Sequence, residues 1–247
     1  MKYYEHLANK RVFDFNYMIE LTGNKDLASQ TIQNYLNKGL IKRVKRNLYA
    51  VMSLETNGLI PTKFEIACKI TKSSYIYNYS AFEFHGYSNQ VSNQVLVATV
   101  AQFHDFVFEN TTFVCKRVND TSFVETINSV KVSSLAKTIV DTIDTIKTYD
   151  DLEELINILD MIPVINGKDI LTYLMRVNRT ILYSKVGLVL SFYEDGYNIT
   201  KEMLKEMKEN GLKIARNFTS EKHRLNTYYE EWKLHVYDID KLKKGES

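Results

Sequence analysis

The chain has 247 residues, 45% hydrophobic and 25% charged, with a formal net charge of +2. That is enough apolar chain to bury a full core in one large domain or two modest ones, the charge excludes a polycation, and only two prolines and nine glycines argue against long disordered linkers. The two cysteines, Cys68 and Cys115, make neither a metal pair nor a disulfide framework and read as free thiols in a reducing compartment.

No apolar leader follows Met1, and the most apolar segment, Val186 to Phe192, is too short to span a bilayer. A cytoplasmic protein without a membrane segment is expected. Charge is unevenly spread. Met1 to Met52 holds nine Lys/Arg against four Asp/Glu, whereas both later stretches, 53–150 and 151–247, are slightly acidic. The basic excess sits in the first fifth of the chain, as in a protein that meets nucleic acid there.

In chain order, Tyr3 to Arg11 reads as a short amphipathic helix. Phe13 and Phe15 alternate around Asp14, and Asp14 or Asn16 can cap a second helix, Tyr17 to Thr22. Gly23-Asn24 is a turn. A third helix starts near Lys25 or Asp26 and runs to Lys38, where Gly39 stops it. Its apolar positions are Leu27, Ile32, Tyr35 and Leu36. Two helices joined by a short turn make a helix-turn-helix.

The polar face of the third helix carries Ser29, Gln30, Thr31, Gln33 and Asn34, and no Glu occurs in it. Gln and Asn can bond a base edge through two atoms, and Ser and Thr can bond a base or a phosphate. Five basic residues then fall in the nine positions 38–46: Lys38, Lys42, Arg43, Lys45 and Arg46. Lys45-Arg46-Asn47 is expected as the turn of a hairpin, with Asn47 at positive φ. These ten side chains are the predicted DNA contacts, the cations going to phosphates.

After a polar connector, Ser53 to Leu59, helical spacing appears at Thr62 to Thr71. A brief strand at Tyr75 and a helix from about Ser80 to Gly86 follow. Val91 to Val100, Phe106 to Phe108, Phe113 to Lys116 and Val130 to Val132 read as strands. From Ser133 the pattern turns helical, with Ser133 or Ser134 capping a helix through Ile146. Asp150 or Asp151 caps the next, through Met161, which Pro163 stops. Helices are expected at Gly167 to Val177, Ile181 to Tyr193 and, capped by Thr200, to Asn210. Glu231 to Tyr237 reads as a closing strand, and Asp240 to Ser247 as a frayed tail.

The expected fold class is α+β: an N-terminal winged helix-turn-helix over 1–53, then a mixed α/β C-terminal domain over 60–247. The latter has a mixed sheet at about 75–132, a mostly helical region at about 133–211, and a short strand at its end.

No phosphate loop, dinucleotide fingerprint, HExxH or GxSxG occurs. The five histidines are scattered, and His85 reads as a helix-end or packing residue. Asp141 with Asp144, and Asp238 with Asp240, could in principle hold Mg²⁺, but surface or capping roles suit them better. The aromatic run from Tyr75 to Phe84 reads as packing rather than base stacking. The reading is a protein that is not an enzyme, with no catalytic residues, no metal and no cofactor.

Four places together resemble the AbiEi family of antitoxins from type IV toxin–antitoxin (abortive infection) systems. The first is Gly39 to Tyr49, similar to a "GLL-basic-x-G-x-Y" signature, with Asn47 in place of the usual Gly. The second is Tyr77 to Gly86, with its Ser80-Ala81 and His85-Gly86. The third is Lys137-Thr138-Ile139-Val140-Asp141, similar to "R-T-hydrophobic-hydrophobic-D" with Lys for Arg. The fourth is Val186 to Leu190, followed at a distance by Trp232-Lys233-Leu234.

The resemblance implies a phage-defence antitoxin that represses its own operon by binding inverted repeats in double-stranded promoter DNA, as monomer or dimer. It also implies that the C-terminal domain counteracts a nucleotidyltransferase toxin, and it leaves open whether the two form a stable complex. The residues alone also allow a ligand-responsive winged-helix regulator unrelated to toxins.

Overall fold

The computed structural model describes residues 2–88, 90–193, 197–221 and 226–244. Its helices and mixed sheets make an α+β fold. The chain divides into two compact units, Met1–Tyr77 with Ser92–Val132, and Asn78–Val91 with Ser133–Ser247. The division does not fall at the expected linker, 53–60. The first unit joins the N-terminal helices to the sheet, because long-range polar contacts cross that linker: Arg11 pairs with Glu65 at 2.8 Å and donates to the Ile60 carbonyl at 2.6 Å.

The first unit opens with α1 (Tyr4–Lys10), β1 (Val12–Phe13), α2 (Phe15–Thr22), α3 (Lys25–Asn37), β2 (Ile41–Lys45) and β3 (Leu48–Val51). The three strands pair antiparallel in the order β1-β3-β2, which with three helices ahead of the hairpin is the winged-helix topology. Leu7, Phe13, Met18, Ala28, Ile32, Tyr35, Ile41, Tyr49 and Val51 form its core.

Next come α4 (Lys63–Ala67), capped by a Thr62–Glu65 capping box, and β4 (Tyr75–Ile76). The strands β5 (Gln94–Thr99), β6 (Phe106–Phe108), β7 (Thr111–Arg117), β8 (Val124–Ile127) and β9 (Val130–Ser133) complete a six-stranded mixed sheet, ordered β6-β7-β5-β4-β9-β8. The strand β8 was not expected. It lies at the sheet edge, three of its four residues are exposed, and it shows no buried alternation to read.

The second unit holds α5 (Tyr79–Phe84), α6 (Leu135–Thr145), α7 (Tyr149–Met161), α8 (Gly167–Val177), α9 (Thr180–Ser191) and α10 (Lys201–Asn210). A small sheet follows, made of β10 (Arg216–Asn217), β11 (Asn226–Tyr229) and β12 (Leu234–Tyr237), and then α11 (Ile239–Lys244).

Ser134 caps α6, as one expected alternative had it. The cap of α7 is Thr148, not Asp150 or Asp151. Its hydroxyl accepts from Asp151 N while the Asp151 carboxylate reaches back to the Thr148 amide, so the aspartate is the partner in a capping box.

The expected strand 231–237 is half right. Glu230–Trp232 is a 3₁₀ turn, and the strand begins after Lys233 at φ 54°. Residues 240–244, expected to fray, belong to α11, while 245–247 and the Asp240 side chain lie outside the described residues. The same holds for His223.

The family-like segments of the second unit have structural roles. His85 Nε2 lies 3.0 Å from the Ser133 carbonyl, which ties the end of α5 to the start of α6. Lys137 Nζ meets Asp141 Oδ2 at 2.8 Å, and Tyr173 closes a triangle by accepting from Lys137 at 2.5 Å and donating to Asp141 at 2.8 Å. Asp144 pairs with Arg179 at 2.5 Å. Thus both carboxylates of the Asp141–Asp144 pair have cationic partners.

Every residue from Leu182 to Leu190 is buried, so α9 is covered on all sides, as a helix apolar all round must be. The Trp232 ring packs against Gly187, and a Cβ there would fall inside the indole's van der Waals surface. Gly187→Ala is therefore expected to destabilise by about 1–3 kcal/mol through overpacking. A urea midpoint equal to that of the wild type would show that Trp232 can yield.

Candidate nucleic-acid interface

Three short-range devices set the helix-turn-helix. The Asp14 carboxylate accepts from Tyr17 N at 2.9 Å and starts α2, and Gly23 ends it at φ 71°. Asn24 Oδ1 then accepts from Asp26 N at 2.9 Å and Leu27 N at 3.0 Å, which starts α3. Gly39 at φ 68° turns the chain out of α3 into the hairpin. Glycine suits both turns because a Cβ is disfavoured at positive φ.

Ala28, Ile32 and Tyr35 anchor α3 in the core. One turn geometry therefore decides its outer face. Gln30, Gln33, Asn34 and Asn37 are exposed there, Ser29 is exposed on one flank, and Thr31 is half-buried on the other. Gln33 Nε2 donates to Asn37 Oδ1 at 3.0 Å, so these two amides present a joined donor–acceptor surface. Asn37 was not among the expected contacts; its position one turn after Gln33 was the available signal.

A groove of about 300 Å³ runs beside this face, lined by Lys2, Tyr3, Leu27, Gln30, Thr31, Asn34, Tyr35 and Lys38. It brings Lys2 to the site, because Tyr3 N donates to the Tyr35 hydroxyl at 3.3 Å and holds the start of α1 against α3. No local pattern announces Lys2, whose placement depends on a contact 32 residues away.

The hairpin turns over Arg46-Asn47 alone, with Lys45 paired to Leu48, so Lys45 lies in the strand rather than in the turn. Asn47 does take positive φ, 61°. Its side chain adds what glycine lacks: Oδ1 accepts from Phe15 N at 2.9 Å and fastens the hairpin tip to the start of α2.

The five basic side chains divide. Lys38, Arg43 and Arg46 are exposed and form no ion pair among the described residues. Arg43 sits opposite Tyr49, with its guanidinium 5.8 Å from that ring centre.

Lys42 and Lys45 are engaged within the unit. Lys42 pairs with Glu109 at 2.8 Å. Lys45 Nζ donates to the Ile70 carbonyl at 3.3 Å and lies 5.4 and 5.9 Å from the Phe103 and Phe106 ring centres. Burial pulls the Lys45 pKa down. Two of the five cations expected at phosphates are thus already held by protein partners in this structure. Strand alternation, with a bulge between Arg43 and Lys45, turns them to the side of the hairpin that meets the rest of the unit.

No family model matches this chain, and no curated protein matches it. A solved structure does share its fold. The RV2827C protein from Mycobacterium tuberculosis is similar with a TM-score of 0.61 over 98% of this chain and 92% of that chain. The identity is 11%, so the likeness to RV2827C concerns the fold alone.

Among the described residues, no helix is long and apolar enough to cross a membrane. Nor, among them, do three or more His, Cys, Asp or Glu side chains gather where a metal ion could be held.

Proposed function

We propose that this chain is a promoter-binding autorepressor and an antitoxin of the AbiEi kind. The observation that carries the DNA-binding part is the exposed amide face of α3, Gln30, Gln33, Asn34 and Asn37, beside the free cations Lys38, Arg43 and Arg46. In this reading the amides face base edges in the major groove and the cations meet the flanking phosphates, as on other winged helices. The antitoxin part rests on the order of the family-like segments along the chain. In this reading the remainder of the protein restrains a nucleotidyltransferase toxin.

Fluorescence anisotropy on duplex DNA from upstream of the protein's own gene tests the first part. Affinity at least about a thousandfold above that for scrambled duplex is expected. Equal affinity for both would refute promoter reading. Asn34→Ala should reduce discrimination by about 1–3 kcal/mol if it reads a base, and not if it only positions the backbone. For the second part, a nucleotidyltransferase toxin should be encoded beside this protein; co-expression should restore growth in cells that the toxin arrests, and absence of such a gene or continued arrest would remove the antitoxin assignment.

The Lys42–Glu109 pair supplies a further test. Both side chains are over two-fifths exposed, so the pair is weak and a DNA phosphate can replace the carboxylate. Glu109→Gln is expected to tighten DNA binding at low salt and to steepen the salt dependence by about 0.9 in log–log slope. An unchanged slope would mean that Lys42 stays away from the DNA.

A further inference from the structure

Behind the hairpin, within the first unit, lies a cleft of about 390 Å³ lined by Gln102, Phe103, His104, Asp105, Cys115 and Arg117. Its size is that of a small-molecule site, and its concave form does not suit a DNA backbone, which is convex. Arg117 and His104 are exposed, and neither makes an ion pair with a described residue. Lys45, over the Phe103 ring, adds a second cation beside Arg117 at the edge of the cleft, and the His104 imidazole adds a hydrogen-bonding group.

The remaining lining is of another kind. Asp105 Oδ1 accepts from Cys115 N at 2.8 Å, which fixes the carboxylate and leaves its other oxygen as an acceptor. Gln102 can donate and accept. Phe103 meets Phe106 edge-on at 6.1 Å, and Phe106 stacks on Phe113 at 5.0 Å, so the aromatic wall is braced from behind. Cations alone would suit bare phosphate. Cations beside a fixed acceptor, an amide and an aromatic ring suit a phosphate carrying a hydroxylated, ring-bearing group.

We propose that this cleft binds a small phosphate-bearing ligand of the nucleoside monophosphate class, with Arg117 and His104 on the phosphate and Asp105 on a ligand donor. Lys45 connects such a ligand to the hairpin, which gives the ligand-responsive reading a definite location. The inference does not depend on the chain binding DNA.

Isothermal titration of the full chain with AMP, GMP and inorganic phosphate tests it, with Arg117→Gln as the variant. A nucleoside monophosphate should saturate, and inorganic phosphate should bind about tenfold more weakly for want of the ring. Arg117→Gln should weaken the nucleotide by about ten- to a hundredfold, the loss of a charged hydrogen-bond donor, with its thermal melt unchanged because Arg117 is exposed. Absence of saturation by any of the three, or equal binding by wild type and variant, would overturn the proposal. Inorganic phosphate binding as tightly as AMP would overturn the nucleoside class. Loss of duplex DNA binding in Arg117→Gln, with no nucleotide bound by either protein, would assign the cleft to DNA and overturn the proposal too.

Discussion

Replacing Lys38, Arg43 and Arg46 together by alanine is expected to lower the log–log salt slope of DNA binding by about 2.7, since each lost phosphate contact removes about 0.9. Near 0.1 M salt this amounts to a loss of roughly a hundred- to several-hundredfold in affinity, for any DNA sequence. The three side chains are exposed and lack ion-pair partners among the described residues, so the variant should fold as the wild type does. Circular dichroism checks that, and anisotropy at several salt concentrations gives the slope. Changing Lys42 and Lys45 instead should cost less, because in the free protein one already holds Glu109 and the other the Ile70 carbonyl. A slope reduced by less than one in the triple variant, or a greater loss from Lys42 and Lys45, would place the DNA on the other side of the hairpin.

Asp141→Ala is expected to cost about 3–5 kcal/mol in stability, the penalty for leaving a buried cation without its partner. The Lys137 side chain is 7% exposed and that of Asp141 27%, so water offers little compensation. Removing the carboxylate also takes away the acceptor of the Tyr173 hydroxyl. The paired replacement Lys137→Met with Asp141→Leu should be less damaging than Asp141→Ala alone, because it buries no unpaired charge. Urea unfolding of the three proteins decides. A cost below about 1 kcal/mol for Asp141→Ala would mean that the pair behaves like a surface ion pair. The Lys-Thr-x-x-Asp segment thus has a structural reason: an i,i+4 pair whose buried lysine needs the aspartate one turn on.

Much of the fold was legible locally. Asp14, Gly23, Gly39 and Asn47 act where their residue types suggest. The ends of α8 at Gly167 and Val177, and the Thr200 cap of α10, also lie where the pattern put them. What local patterns missed shares a cause. Thr148 outcompeted its acidic neighbours as a cap because a hydroxyl at the N-cap with an aspartate three residues on satisfies two amides at once. The short edge strands β8 and β10 carry mostly exposed residues and so leave no hydrophobic period. Trp232 lies in a 3₁₀ turn instead of its expected strand, with its ring against Gly187, a partner distant in sequence.

The sequence by itself therefore determined the helix-turn-helix and the hairpin with its positive-φ Asn47, though not that Lys45 belongs to the strand, since caps, glycines and positive-φ asparagines act within three or four residues of themselves. Helical spacing also set Gln30, Gln33 and Asn34 apart from Ile32 and Tyr35, but it put Leu27 on the buried face, where Ala28 stands instead while Leu27 is exposed, and it passed over Asn37. Only the tertiary structure decided which hairpin cations stay in water. Lys42 meets Glu109 across 67 residues, and Lys45 meets Ile70 across 25. Partners so distant exist only once the six-stranded sheet has formed, and no spacing within the hairpin can encode them.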